Sequence, residues 1–242
     1  VSAADSGQPG ERGGPLSSDL QKTASWDWPE VATYEELMSS YLDQVGASED
    51  VRQQVMEYWK ATASDIRGPQ FLDRLMNTAG LVEPRVAQLV AQLVSTNGKP
   101  IQPKELAWLT SDVPGWLQDT IRLGCGRALS QRRLVDESVE AMSGLQVGQV
   151  CDPSSLLFYR ASCAHQLLKR DECLADLRTL LERESEIAVR YAQVAKLVRA
   201  DIEPLESDSL DEIARRMSDV QRRLDLGRAG QRVRDEEQKI LD

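Results

Sequence analysis

Residues 116–145, WLQDTIRLGCGRALSQRRLVDESVEAMSGL, and residues 155–183, SLLFYRASCAHQLLKRDECLADLRTLLER, decide the fold of this chain. Each carries apolar residues at helical spacing, breaks at a short polar turn and resumes, so each predicts two antiparallel helices. The turns are Gln131-Arg132-Arg133 and Lys169-Arg170-Asp171-Glu172. Paired helices approach closely only where short side chains meet. Gly124 with Ser138 and Ala161 with Cys173 supply such pairs, fourteen and twelve residues apart. Leu123, Leu134, Val139 and Met142 would fill the space around the first contact, and Leu157, Leu167, Leu168, Leu174, Leu177 and Leu181 the space around the second.

Between the two segments, Ser138 to Cys173 is 35 residues and Gly124 to Ala161 is 37. On these small residues and this period, residues 116–181 resemble the tetratricopeptide repeat family, whose units are helix-turn-helix hairpins of about 34 residues. Val135 or Leu134 stands where the family has a turn tyrosine, and most of its aromatic and proline positions are not matched. The resemblance implies a protein-binding array. The pattern alone serves a plain antiparallel bundle equally well.

Working outward, the rest of the chain also predicts helices. Thr33 and Glu36 make a capping box ahead of Leu37, Met38, Tyr41, Leu42 and Val45. Ser48 caps a second helix with the stripe Val51, Val55, Met56, Trp59, and Gly68-Pro69 breaks the chain before Phe71, Leu72, Leu75 and Met76. Val86, Leu89, Val90, Leu93 and Val94 form the next apolar stripe. Prolines 100, 103 and 114 mark a connector at 100–115, which divides an amino-terminal helical subdomain, 31–99, from a core at 116–226. Trp108 and Trp116 are placed to seal that junction. After the core hairpins, a helix runs from 186 to 202. Another runs from 210 to 226 behind Ser209, with Ile213, Met217, Val220 and Leu224 on one face and Arg215, Arg216, Arg222 and Arg223 on another. Those arginines suggest an acidic ligand, or simply a charge-balanced surface. Residues 227–242 read as the start of a charged coiled-coil helix, with Val233 and Ile240 seven apart and the helical pattern still running at Asp242.

Residues 1–30 are rich in Gly, Pro, Ser and charge and predict a disordered leader. Val1-Ser2-Ala3-Ala4-Asp5 is similar to the small-residue end of a secretory signal, which favours export to the periplasm or envelope. An export-like start, a helical repeat core and a charged last helix together resemble bacterial envelope proteins. Trp26 and Trp28 either dock on the first helices or act as a short recognition element.

The 242 residues suffice for a substantial core, and 41% hydrophobic with 28% charged is ordinary for a globular chain. Only 5% is aromatic and β-branched runs are missing, so the fold class expected is all-α. A net charge of −10 excludes general nucleic-acid binding, which needs excess cations against phosphates. No stretch reaches the ~18 apolar residues of a membrane span.

The four cysteines at 125, 151, 163 and 173 match no metal or haem spacing; as free thiols they suit a core, and Cys163 with Cys173 is the pair best placed for a disulfide. His165 is the single histidine, and Cys163 two residues away would point elsewhere on a helix. Gly124-Cys125-Gly126 sits inside a helix and permits close packing rather than holding phosphate. These residues predict no enzyme and no cofactor or metal. The reading is an interaction scaffold that binds a protein or peptide in a groove made by the first helices of the repeat units. Arg122, Arg127, Tyr159, Arg160, Ser162 and Gln166 are its candidate lining residues. The alternative is a self-assembling subunit, a homo-oligomer joined through its carboxy-terminal helix.

Overall fold

The structure is a computed structural model that describes residues 24–61, 66–95, 108–109, 113–207, 209–227, 230, 233–235, 238 and 240. Val1–Asp5, most of the 100–115 connector and much of 227–242 lie outside the described residues. The fold is all-α, with no strand among the described residues. In chain order the helices are α1 (Val31–Gln44), α2 (Glu49–Ala61), α3 (Pro69–Val82), α4 (Pro84–Val94) and α5 (Gly115–Gln131). They continue as α6 (Val135–Met142), α7 (Pro153–Gln166), α8 (Arg170–Leu181), α9 (Val189–Ile202) and α10 (Leu210–Asp225). No described helix is long and apolar enough to cross a membrane.

Sequential helices pack as hairpins: α3 with α4, α5 with α6, and α7 with α8. The pairs then stack, α3 and α4 on α5, α5 and α6 on α7, and α9 on α7 and α8. One hydrophobic cluster runs through all of them, from Trp26 to Ile202. Tyr34 of α1 meets Phe71 of α3 and Trp116 of α5 edge to face, at 5.3 and 5.9 Å. Trp116 therefore joins the amino-terminal helices to the repeat hairpins. Trp108 is half-buried with the Arg85 guanidinium 4.3 Å from its ring centroid.

The two central hairpins turn through the same pair of backbone bonds, 35 residues apart. In the first turn Leu134 N–H donates to Leu129 O at 2.9 Å and Arg133 N–H to Ser130 O at 2.9 Å. In the second, Lys169 N–H donates to Ala164 O at 2.9 Å and Leu168 N–H to His165 O at 3.1 Å. These are the two bonds of a Schellman cap, and they place the residue after the helix in the left-handed region. Arg133 (φ 61°) and Leu168 (φ 57°) occupy that position although neither is glycine.

The close helix contact differs from the one the sequence suggested. Ser138 Oγ donates to Gly126 O at 2.7 Å, and a Cβ built on Gly126 would lie 2.3 Å from Met142 Cγ. Gly124 faces the other way, toward Met76 of α3, whose Cε would be 3.0 Å from such a Cβ. The true pair is thus Gly126 and Ser138, twelve residues apart like Ala161 and Cys173. Gly126 to Ala161 is then 35 residues, the same as Ser138 to Cys173. The two glycines let α5 be approached from both sides.

Several other expectations need correction. α1 begins at Val31, with Glu30 extended at its amino end and no side-chain cap, so Thr33 lies inside the first turn rather than before it. Ser48 and Ser209 do cap their helices: Val51 N–H reaches Ser48 Oγ at 3.4 Å and Glu212 N–H reaches Ser209 Oγ at 3.2 Å. Val139 and Val94 are exposed, because the stripes they extend turn away from the core at those positions. The leader does not extend to residue 30, since Trp26 and Trp28 are docked. Trp26 is held at the end of α8, and Trp28 lies between Glu186 and Gly68 at the start of α3.

The carboxy-terminal helix buries only half of its expected apolar face, Val220 being buried and Ile213 half-buried. Arg222 and Arg223 of α10 are buried while Leu210, Met217 and Leu224 are exposed. Arg222 Nη1 donates to Arg133 O at 3.0 Å, and Arg223 bonds Asp136 at 2.5 and 3.2 Å and Asp219 at 2.6 Å. Arg215 reaches Asp201 at the end of α9 at 2.5 and 3.1 Å. α10 crosses the turn end of the first hairpin and the carboxy end of α9, tied by guanidinium groups. Val233 beyond it is buried.

Candidate functional site

α5 places Gly124, Arg127, Ala128 and Gln131 at spacings of three and four, which aligns them on one face of the helix. That face borders an open cleft of about 500 Å³. Its far wall is apolar: Met76 of α3 with Val90, Leu93 and Val94 of α4. Gly124 lets Met76 lie close against α5, and the exposed Arg190 at the start of α9 completes the lining.

Polar groups hold this face in position. Arg127 pairs with Asp73 of α3 and its Nη1 lies 3.4 Å from Pro69 O. Burial pulls the Arg127 guanidinium down, but the Asp73 hydrogen bond and charge outweigh it, so its pKa ends raised and it stays charged. Gln131 Nε2 donates to Tyr159 Oη at 2.8 Å, linking α5 to α7. Tyr159 is buried against Phe158 and Tyr191, the latter two stacked at 4.2 Å. Arg190 is exposed, makes no ion pair among the described residues, and lies 5.2 Å from the Tyr191 ring centroid. The cleft therefore offers an apolar wall, one anchored guanidinium and one exposed guanidinium.

Of the sequence-derived groove residues, the structure brings together Arg127 and Tyr159, through Gln131. Arg122 instead bonds Ala141 O at 3.1 Å and also Ser143 O, closing the end of α6. Arg160 holds Asp176 of α8 through two bonds, one of 2.6 Å. Ser162 is half-buried, and Gln166 lines different clefts under α10. Sequence reasoning missed Arg190, Gln131 and the α4 wall. The Gly124–Arg127–Gln131 stripe was the available signal, obscured because Gly124 had been assigned to the α5–α6 contact.

A larger cleft of about 700 Å³ opens between α6, the α7–α8 turn and α10. Its cations are committed: Arg223 to Asp136 and Asp219, Arg216 to Glu212, Lys169 to Glu172. Beside it His165 Nε2 lies 2.6 Å from Asp201 Oδ2, and Arg215 and then His165 hold that carboxyl down to about 2. Asp201 is thus an ion-pair acceptor, and His165 is bound to it.

All four cysteines are free and buried. Cys163 Sγ lies 3.3 Å from Ser138 Oγ, toward α6, so the suggested Cys163–Cys173 bond is not formed. Burial pushes the Cys125 thiol up to about 12 and the Cys173 thiol up to about 11, which leaves both protonated and unreactive at neutral pH. Among the described residues no group of three or more His, Cys, Asp or Glu side chains is arranged to hold a metal. No protein-family model, curated protein or solved structure matches the chain, and its chemistry is therefore argued from this geometry alone.

Proposed function

We propose that this chain is an interaction scaffold, a short tetratricopeptide-like array that holds a protein or peptide in the cleft beside α5. The observation that carries the reading is the exposed Arg190 guanidinium, opposed across the cleft to the Met76, Val90 and Leu93 wall. Stacked helical hairpins whose turns recur at 35 residues support this reading, with a cleft between α5 and the α3–α4 pair. The ligand is a segment with two apolar side chains for the wall and a carboxylate for Arg190.

Crosslinking in cells followed by mass spectrometry, on the native chain and on Arg190→Glu, tests it. Crosslinks from the cleft to a different protein should vanish in the variant while its helicity is unchanged. Crosslinks that persist would remove the cleft from consideration.

A second reading is self-assembly through α10, because Leu210, Met217 and Leu224 are exposed and spaced by seven residues. Sedimentation of Met217→Lys against the native chain separates it from the first. Only a self-assembling chain would lose mass.

A further inference from the structure

Ser25-Trp26-Asp27-Trp28 precedes α1 without regular structure and lies on residues 179–186, the end of α8 and the turn after it. The contacting residues are 153 to 158 positions apart in sequence. The segment is read much as a bound peptide is read. Trp26 Nε1 donates to Thr179 O at 2.8 Å, in the last helical turn, where carbonyls lack their usual partner four residues on. Arg183 Nε donates to Trp26 O at 2.6 Å, its Nη2 pairs with Asp27, and its guanidinium lies 5.5 Å from the Trp26 ring centroid. Glu182 Oε2 accepts both the N–H and the O–H of Ser25, at 2.7 Å each, and Glu186 Oε2 accepts from Trp28 Nε1 at 3.1 Å. The two indoles meet edge to face at 5.1 Å.

Every position of the segment is thus recognised, and recognised from eight consecutive residues. The carboxylate side of these contacts is open to water, Asp27 being 84% exposed, so each contributes little. Burial of the Trp26 ring, 5% exposed, supplies most of the hold. A grip that depends on one ring and several solvated ion pairs is a displaceable one.

We propose that Thr179, Glu182, Arg183 and Glu186 form a binding site for extended peptides of aromatic–acidic–aromatic sequence in another protein. Ser25–Trp28 is the ligand that occupies it within the chain. The site is separate from the α5 cleft and does not depend on it. Tethering gives the internal segment an effective concentration on the order of millimolar, so a partner must outcompete it or meet a chain in which it has been released.

The test uses a fluorescently labelled peptide spanning residues 23–30 and the full chain. Anisotropy should show saturable binding to Trp26→Ala, binding roughly ten-fold or more weaker to the native chain because of the tethered competitor, and none to Trp26→Ala carrying Arg183→Ala. A Trp26→Ala chain with native helicity and melting that ignores the peptide would overturn the proposal. Hydrogen exchange on the native chain gives an independent reading should that variant not fold. The Ser25 amide should exchange faster than the α8 amides; exchange of both at one common rate would mean the segment never opens alone, and would also overturn it. Native mass spectrometry of the unaltered chain adds the source of the peptide. Dimers dissolved by the labelled peptide would support the site with a second copy as donor.

Discussion

Ser138 Oγ donates to the carbonyl of Gly126 across 2.7 Å, at the point where α5 and α6 come closest. The bond exists because position 126 has no side chain: a Cβ there would stand 2.3 Å from Met142 Cγ. Met142 is 2% exposed and has no room to withdraw. Gly126→Ala gains helix propensity of ~1 kcal/mol but forces overpacking that costs ~1–3 kcal/mol. The expected result is a net loss of up to about 2 kcal/mol in urea unfolding. Gly124→Ala is the control. Its Cβ would press on the flexible end of Met76, Sδ and Cε at 3.0 Å, so the two terms should nearly cancel.

Arg133 holds a left-handed conformation in a turn where most helices place glycine. Its side chain is exposed and its backbone is used on both sides, the N–H donating to Ser130 O and the carbonyl accepting from Arg222. Arg133→Gly should stabilise the chain by ~0.5–1 kcal/mol, the strain relieved less the extra freedom of the unfolded state. A shift of the urea midpoint to lower concentration would show that the arginine side chain contributes more than its backbone strain costs.

α10 is held by ion pairs as well as by the burial of Val220. Removing the Arg223 side chain leaves Asp136 without its α10 partner and deprives Asp219 of one of two guanidiniums. Arg223→Ala should expose the amides of 210–225 to hydrogen exchange while α5 to α8 stay protected. Acid acts on the same helix through Asp201, whose folded value of about 2 lies below the unfolded ~3.9. A depressed carboxylate contributes stability above its unfolded value and loses it as pH falls through the folded one. Protection of α10 should therefore decline between about pH 4 and pH 2, and Asp201→Asn should show the weaker protection already at pH 7.

The helical class and most helix positions were readable because burial repeats at helical spacing. Leu123, Leu134, Met142, Leu157, Leu174 and Leu177 are all buried as that periodicity requires. What escaped was choice between equivalent faces. Gly124 and Gly126 are both small, and only the position of α3 shows which glycine meets α6. α10 was half legible for a related reason: its apolar stripe and its arginine stripe were both visible, and Val220 is buried with Arg222 and Arg223 while Met217 and Leu224 stay exposed. The arginines are drawn in because Asp136, Asp201 and backbone carbonyls converge from other segments. The groove residues scattered because Arg122 and Arg160 found partners within their own hairpins, Ala141 O and Asp176.

Asp152 offers the sharpest pH experiment. It is fully buried at the start of α7, where Oδ1 accepts from Ser154 Oγ at 2.6 Å and from Ser155 N–H at 3.0 Å. Oδ2 has no hydrogen-bond partner among the described residues. Burial raises the carboxyl's pKa, and the bonds from Ser154 and Ser155 and the Arg127 charge offset this only in part. The folded chain thus holds the Asp152 proton more tightly than the unfolded chain does. Its contribution to stability falls as pH rises from the unfolded value of ~3.9 through the higher folded one. Asp152→Asn keeps the Oδ1 cap and deletes the charge. Leaving the new amide N–H groups unpaired adds a cost that is the same at every pH, so the slope isolates the ionisation. In unfolding measured at pH 4, 5.5 and 7, the variant should gain steadily on the native chain. Two parallel curves would mean that Asp152 ionises as easily inside the fold as outside it, and that the buried Oδ2 is solvated by a route the neighbouring side chains do not provide.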